Sequence, residues 1–486
     1  MQFPILIILF VFHAINSLDN HKPPSPFGAL PSARQLAWHE TEVYGLIHFT
    51  PTTFENKEWG FGDADPSLFN PRDFDAGQII SAAKAGGLKG LILVAKHHDG
   101  FCLWPTKTTE YNISKSPWRN GKGDMVREFE QACRKAGLKF GVYCSPWDRN
   151  NEYYGQPEYL DIYRAQLREL YTEYGPLFMS WHDGANGGDG YYGGKREIRK
   201  IDNTVYYDWE NTWNNITRKL QPMAAIFSDI GPDVRWVGNE KGIAAEKHWA
   251  TFNPEAETGS IAVPGNVNTR MSNEGTHRGK YWIPAECDVP LRPGWFYHPE
   301  QDGKEKSTDQ VFDLYLKSVG RGACLDLGLA PGPNGLLHEN DVRILKQFGE
   351  KVRATFETNL IRGATLIPSH TRGKAYAAKN MQDGDRYTYW STSDKVQKAK
   401  IEIVLAEKKE LDLIQLRENI KLGQRVERAD IEIMEQGGWR ALVSVPTIGA
   451  NRLIRLDNPI ITDRLRITLE APAPLCISEI GLYKIQ

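Results

Sequence analysis

The sequence has no excess of charge, no paired cysteine motif and no second long apolar run. Its 59 Lys and Arg nearly balance 61 Asp and Glu, and no basic stripe gathers the cations. Nucleic-acid binding draws most of its affinity from clustered Lys and Arg, so it is disfavoured. The six cysteines include no Cys-x-x-Cys spacing. Four of them, such as Cys144 and Cys324, lie in apolar runs or helical patterns. They read as small buried hydrophobes rather than as a disulfide framework. Residues 3–12 form a ten-residue apolar run. That is shorter than the roughly 20 residues a spanning helix needs, and it fits the apolar part of a secretory signal. A leader over 1–17 is expected, although no Lys or Arg precedes it. Export to the periplasm or the extracellular space follows as an expectation, with no membrane span.

From about residue 38 to 350, short apolar runs alternate with amphipathic stretches. The runs are 44–49, 88–95, 138–144, 177–181, 224–227, 281–285 and 323–329. Helical patterns cover 76–85, 125–136, 158–174, 206–220 and 310–319. Ala85-Gly-Gly-Leu-Lys-Gly90 and Lys135-Ala-Gly-Leu-Lys139 are near-copies: a helix end, a capping glycine, then a new strand. Repeated strand–helix units predict a parallel sheet closed into a (β/α)8-like TIM barrel over 30–355. A doubly wound open sheet is the alternative, but no Gly-x-Gly-x-x-Gly or phosphate loop opens any of the helices. After 360 the pattern changes to short alternating segments, 400–404, 411–416, 429–434, 453–456 and 465–469. These predict a C-terminal β-sandwich over 360–486.

Barrel enzymes work at the C-terminal ends of their strands. Those ends carry His48, His97-His98-Asp99, Tyr143 and Ser145, Trp181 and Asp183, Asp229, Glu286 and Asp288, and Asp326. Helix N-capping explains some such carboxylates, but hardly a whole ring of polar strand ends. Metal-dependent hydrolysis has little support, because the twelve histidines include no His-x-His and no His-Glu-x-x-His. His97 and His98 would also face opposite sides of an ideal strand. Serine chemistry lacks a Gly-x-Ser-x-Gly elbow. Paired carboxylates remain, as glycoside hydrolysis requires. Asp183 ends an apolar run and precedes Gly184, which leaves room for a ligand. Its acid partner is open among Asp229, Asp233, Glu240, Glu246 and Glu286.

At these residues the chain resembles the α-L-fucosidases of glycoside hydrolase family 29. The matching pieces are Gly45-Leu-Ile-His48-Phe, Glu58-Trp59-Gly60, Leu93-Val-Ala-Lys-His97-His98-Asp-Gly-Phe101, Lys139-Phe-Gly-Val-Tyr143 and Trp181-His-Asp183-Gly184. A second set is Phe227-Ser-Asp-Ile-Gly-Pro-Asp-Val-Arg-Trp-Val-Gly-Asn-Glu240, Trp282-Ile-Pro-Ala-Glu286-Cys-Asp288 and Arg292-Pro-Gly-Trp295-Phe-Tyr-His298. It resembles the branch preferring α-1,3/1,4-linked fucose on branched, Lewis-type glycans. The resemblance implies a retaining double displacement with Asp183 as nucleophile and Glu240 as general acid/base. It further implies that His48, Glu58, Trp59, His97, His98, Tyr143 and Trp181 hold the fucose. Glu286 and Trp295 would meet the adjoining sugar. Asp326 departs from the resemblance, since many relatives carry Asn there.

The C-terminal segment resembles discoidin-like modules, through 380–390 and 416–426. Such modules bind sugar or a structural Ca²⁺, for which Asp383 and Asp385 offer oxygen ligands; no cofactor is required for the chemistry. Two further readings stay open: an inactive glycan-binding barrel, or a retaining glycosidase for another sugar or for α-1,2-fucosides.

Overall fold

The computed structural model describes residues 22–257 and 261–486. The expected leader over 1–17 lies outside the described residues. Eight strands close into a parallel barrel. They are β1 (Val43–Ile47), β2 (Gly90–Lys96), β3 (Lys139–Cys144), β4 (Met179–Trp181), β5 (Ala225–Ser228), β6 (Val234–Trp236), β7 (Ala285–Pro290) and β8 (Cys324–Leu329). Each bonds to its neighbour in chain order, and β8 returns to β1. The (β/α)8-like barrel is therefore the observed architecture.

The two near-copied joints behave as their sequence predicts. The Asp75 and Asp124 side chains cap the helices Ala76–Ala85 and Met125–Ala136. After each helix a glycine, Gly87 (φ 79°) or Gly137 (φ 74°), takes the left-handed conformation that a Cβ would strain. The strands that follow lie side by side, with Gly90 opposite Lys139 and Leu91 opposite Phe140.

Two elements differ from the sequence reading. The run at 281–285 is split: Tyr281–Trp282 pairs with Thr251–Phe252 outside the barrel, and β7 begins only at Ala285. In addition β6 is an unforeseen strand, joined to β5 without an intervening helix. Phe227 lies opposite Val234, so the chain drops back a single residue level between them. The excursion 237–284 follows before β7, and its Glu240, Gly265, Val267 and Thr269 reach the barrel mouth. Buried Arg235 anchors it by donating to the carbonyls of Ser272 (2.8 Å), Trp249 (3.0 Å) and Ile283.

The barrel interior is filled by Leu46, Ile92, Val94, Met179, Ala225, Phe227 and Val234. Trp38, from the helix Ala33–His39, joins this core and donates through Nε1 to the Tyr44 hydroxyl at 2.9 Å. All six cysteines are unpaired and buried, as small hydrophobes.

The helix Glu339–Glu357 leads into an antiparallel domain of seven strands. These are β9 (Thr365–Pro368), β10 (Trp390–Ser391), β11 (Lys398–Glu418), β12 (Arg428–Glu435), β13 (Gly438–Val445), β14 (Arg452–Glu470) and β15 (Cys476–Tyr483). Strands β11 and β14 each run through two segments that read as separate strands. Register shifts between Val404 and Lys409, and between Leu411 and Leu413, let β11 bend while staying paired to β14. The domain docks away from the strand C-termini. Glu42, which precedes β1, is held by Arg386 (2.6 Å) and Arg417 (3.1 Å). Gln424 bridges the backbone of Ala250 (2.8 Å) and His248 (3.1 Å).

Candidate active site

Asp183 stands two residues beyond β4. Its Oδ2 accepts from the Tyr143 hydroxyl at 2.9 Å, and its Oδ1 from the Ala185 backbone N–H at 2.8 Å. His98 Nε2 lies 3.6 Å from Oδ2, and the side chain is 25% exposed, so the carboxylate is held yet open. The Tyr207 hydroxyl donates to the Asp183 backbone carbonyl. Tyr143, Trp181 and Phe227 form a stack beside it, with ring centres 4.9 Å and 4.2 Å apart.

Strand β2 ends at Lys96, so His97 and His98 escape the strand alternation. Instead of facing opposite sides, their rings lie 4.2 Å apart. His48 lies 5.4 Å from His97 and 5.2 Å from Trp295. Burial keeps these imidazoles neutral: it lowers His48 to about 3 and His98 to about 4, and takes His97 well below the usual range. His98 Nδ1 pairs with Ser145 Oγ at 2.8 Å. His48 Nδ1 and His97 Nδ1 are buried with no protein partner.

Two loops build the rim. Glu58 accepts from the backbone of Trp295 (2.5 Å) and Phe296 (3.3 Å) and contacts His298 Nε2 at 3.0 Å. Trp59, half exposed, meets His98 and Trp147 edge-on at 5.3 Å and 5.4 Å. Buried Arg292 fixes the loop carrying Trp295 through Asp302 (2.8 Å), Glu305 (3.2 Å) and Asp341 (3.0 Å).

Of the five acid candidates, the structure brings two to Asp183. A cleft of roughly 400 Å³ is lined by Asp183, Asp229, Glu240, Trp59, Trp181 and Trp236, among others. Asp233 is buried between Arg34 (2.9 Å) and Arg218 (2.5 Å). Glu246 pairs with Arg321 and Arg452, next to the C-terminal domain. Burial and the Asp183 charge push Asp229 up to about 7, although the Gly265 N–H at 2.7 Å opposes the rise. Glu240 is also raised, first by burial and then by the charges of Asp183 and Glu58, against a hydrogen bond from Trp295.

Glu286 corrects the sequence reading. Because β7 starts at Ala285, Glu286 lies low in the strand and is fully buried, out of reach of an adjoining sugar. It accepts from Trp181 Nε1 at 2.7 Å and from the Tyr44 hydroxyl. Asp326 is likewise buried inside the barrel, beside Glu286. The remaining predicted residues, His48, Glu58, Trp59, His97, His98, Tyr143, Trp181, Trp295 and Glu240, gather around Asp183. The sequence reading missed Trp147, Trp236, Gly265 and Thr269, which also line the cleft. Trp236 was hidden with β6; Trp147 and Gly265 sit in irregular segments and Thr269 opens the short helix Thr269–Glu274, none of them within a motif.

Asp383 and Asp385 accept from backbone N–H groups of their own turn, Asp385 and Tyr387, each at 2.9 Å. Among the described residues, Asp302, Glu305 and His338 converge as metal-ligand types, but two of them already pair with Arg292.

A parallel barrel whose mouth opposes carboxyl groups across an aromatic-walled cleft is the architecture of a glycoside hydrolase. Comparison narrows the class. The α-L-fucosidase family model matches residues 28–355, and the F5/8 type C domain model matches 366–480. The chain is 38% identical to α-L-fucosidase 1 of Arabidopsis thaliana over 484 residues, 98% of this chain and 92% of that one. A putative α-L-fucosidase from Bacteroides thetaiotaomicron superposes with a TM-score of 0.86 at 36% identity, covering 96% of this chain and 99% of that one. A Ruminococcus gnavus GH29 fucosidase in complex with fucose gives 0.85 at 30% identity, covering 96% and 97%. The chain belongs to the α-L-fucosidase family, glycoside hydrolase family 29.

Proposed function

We propose that the protein is an exported, retaining exo-α-L-fucosidase acting on α-1,3/1,4-linked fucose of branched glycans. The observation that carries the mechanism is the cleft shared by Asp183, held by Tyr143, and a Glu240 pushed toward its protonated form. In the first step an Asp183 oxygen bonds to the anomeric carbon as the glycosidic C–O bond breaks. Glu240 delivers its proton to the departing oxygen. In the second step Glu240 takes a proton from water, whose oxygen displaces Asp183 and regenerates the carboxylate. Retention requires carboxyl groups about 5–5.5 Å apart. A raised acid is what a proton donor near neutral pH needs.

The neutral His48 and His97, each with an unpartnered buried nitrogen, suit sugar hydroxyls, which both donate and accept. Trp59 and Trp181 offer apolar faces to the C5-methyl side of the ring. The linkage reading rests on the likeness of the Gly238-Asn-Glu240 and Arg292–His298 segments to the 1,3/1,4 branch. Trp295, which belongs to that second loop, remains the proposed contact for the adjoining sugar.

The test is NMR-monitored digestion of a Lewis-type trisaccharide, 2′-fucosyllactose and an aryl α-L-fucoside, with wild type and Asp183→Asn. The expected first product is α-fucose, from the trisaccharide and not from 2′-fucosyllactose, with no turnover by the variant. Early β-fucose would refute retention. Comparable cleavage of 2′-fucosyllactose would refute the linkage, and binding without release by wild type would leave a glycan-binding barrel.

A further inference from the structure

Beneath the cleft, inside the barrel, three carboxyl side chains come together. Glu286 and Asp288 project from β7, and Asp326 of β8 lies in register with Asp288 on one side and Tyr44 of β1 on the other. Glu286 and Asp326 are 0% exposed, so water cannot solvate them, whereas Asp288, 4% exposed, borders the cleft. Two of the three have conventional donors. Glu286 accepts from Trp181 Nε1 at 2.7 Å and from the Tyr44 hydroxyl, and Asp288 accepts from Trp236 Nε1 at 2.8 Å. Neither oxygen of Asp326 meets an N–H or O–H donor among the described residues. The group beside it that can share a proton with it is the carboxyl group of Glu286.

Two carboxyl groups hydrogen-bond only if one carries a proton. Glu286 already serves two donors with its oxygens, so the proton belongs on Asp326. A buried, unpaired carboxylate is costly, and a group in that position neutralises instead. Burial first, then the charges of Glu286 and Asp288, drive Asp326 far above the carboxylate range.

We propose that Asp326 works as a neutral carboxylic acid that donates to Glu286, and that this pair positions Trp181 under the reaction centre. Glu286 fixes the indole by its N–H. The indole stacks on Tyr143 at 4.9 Å, and the Tyr143 hydroxyl holds Asp183 at 2.9 Å. Asp326 touches no substrate and is a positioning residue. Its kinetic consequence rests on Asp183 being the nucleophile.

Two substitutions separate the proton from mere packing. Asp326→Asn keeps a donor at the same place but has nothing to titrate, whereas Asp326→Leu keeps bulk without a donor. On an aryl α-L-fucoside at mildly acidic pH, Asn should stay within about threefold of wild type in kcat/KM, and Leu should lose about tenfold or more, in kcat rather than KM. The pH profile adds a signature that a structural role would not give. In wild type the alkaline limb includes ionisation of Asp326 against Glu286 and Asp288, with Tyr44 and Cys324 beside them adding no positive charge. Asp326→Asn should therefore hold its activity to higher pH.

A third measurement does not depend on turnover. The infrared difference between wild type and Asp326→Asn at neutral pH should contain the carbonyl stretch of a protonated carboxyl group that shifts in D2O. Absence of that band overturns the proposal, as does an Asn variant as impaired as Leu. Should the Leu variant not fold, the band and the Asn pH profile decide. Asp183→Asn is assayed in parallel: activity there would remove the nucleophile reading while leaving the infrared result to judge the proton.

Discussion

Replacing Arg292 by Met should destabilise the protein in a pH-dependent way, and the sign follows from its partners. The guanidinium is 1% exposed and meets Asp302, Glu305 and Asp341, of which Glu305 and Asp341 are themselves 3% and 1% exposed. Met fills the volume but leaves two buried carboxylates facing each other. Breaking a buried pair from one side costs about 3–5 kcal/mol. In wild type, burial already raises Asp341 to about 6 although Arg292 pulls it down. Without that pull its folded pKa rises further above the unfolded value of about 4. A carboxyl raised in this way stabilises below its unfolded pKa, and the contribution is lost as pH rises through its folded pKa. The deficit against wild type should therefore be largest at about pH 8 and smaller at about pH 5, changing by about 1.4 kcal/mol per pH unit for each extra proton retained. Thermal melts of both proteins at the two pH values measure it. The same variant should raise KM on the branched trisaccharide more than on the aryl fucoside, because Trp295 rides on the Arg292 loop. A deficit below about 1 kcal/mol, or one equal at both pH values, would refute the reasoning.

Glu240→Gln should lower kcat on natural glycans by about 10²- to 10⁴-fold, and far less on aryl fucosides whose leaving group needs no proton. Its pH profile should lose the part of the alkaline limb that Glu240 sets, since the working form of Glu240 is protonated and activity falls as pH rises through its raised pKa, leaving only the fall due to Asp326. Gly184→Ala should inactivate with a modest fall in stability, about 1–3 kcal/mol. The new methyl would sit 2.1 Å from Asp229 Oδ2 and 2.7 Å from the Gly265 backbone nitrogen, so the cleft wall must shift; kinetics beside a thermal melt check both halves.

What the sequence disclosed follows from how each signal arises. The joints at Gly87 and Gly137 were legible because a left-handed cap is written in one residue, and the strands after them begin within three residues. Strand β6 was not, because three residues without a preceding helix have no period to detect. Hiding β6 also hid Trp236. The long strands β11 and β14 read as fragments, since polar bends such as Glu407-Lys-Lys-Glu410 interrupt the alternation exactly where the ladder shifts. The candidate site followed the same rule. Asp183, Tyr143 and the histidines were found because they leave strands whose ends were placed well. Glu286 reads as a strand-end residue because its strand is placed about four residues early, at 281 instead of 285, and its sugar contact came from the resemblance. Moving it into the barrel changes what it does. A carboxylate that would have contacted substrate instead accepts from Trp181 and needs a proton held by Asp326, so the pair acts through the stack that holds Asp183 rather than on the sugar.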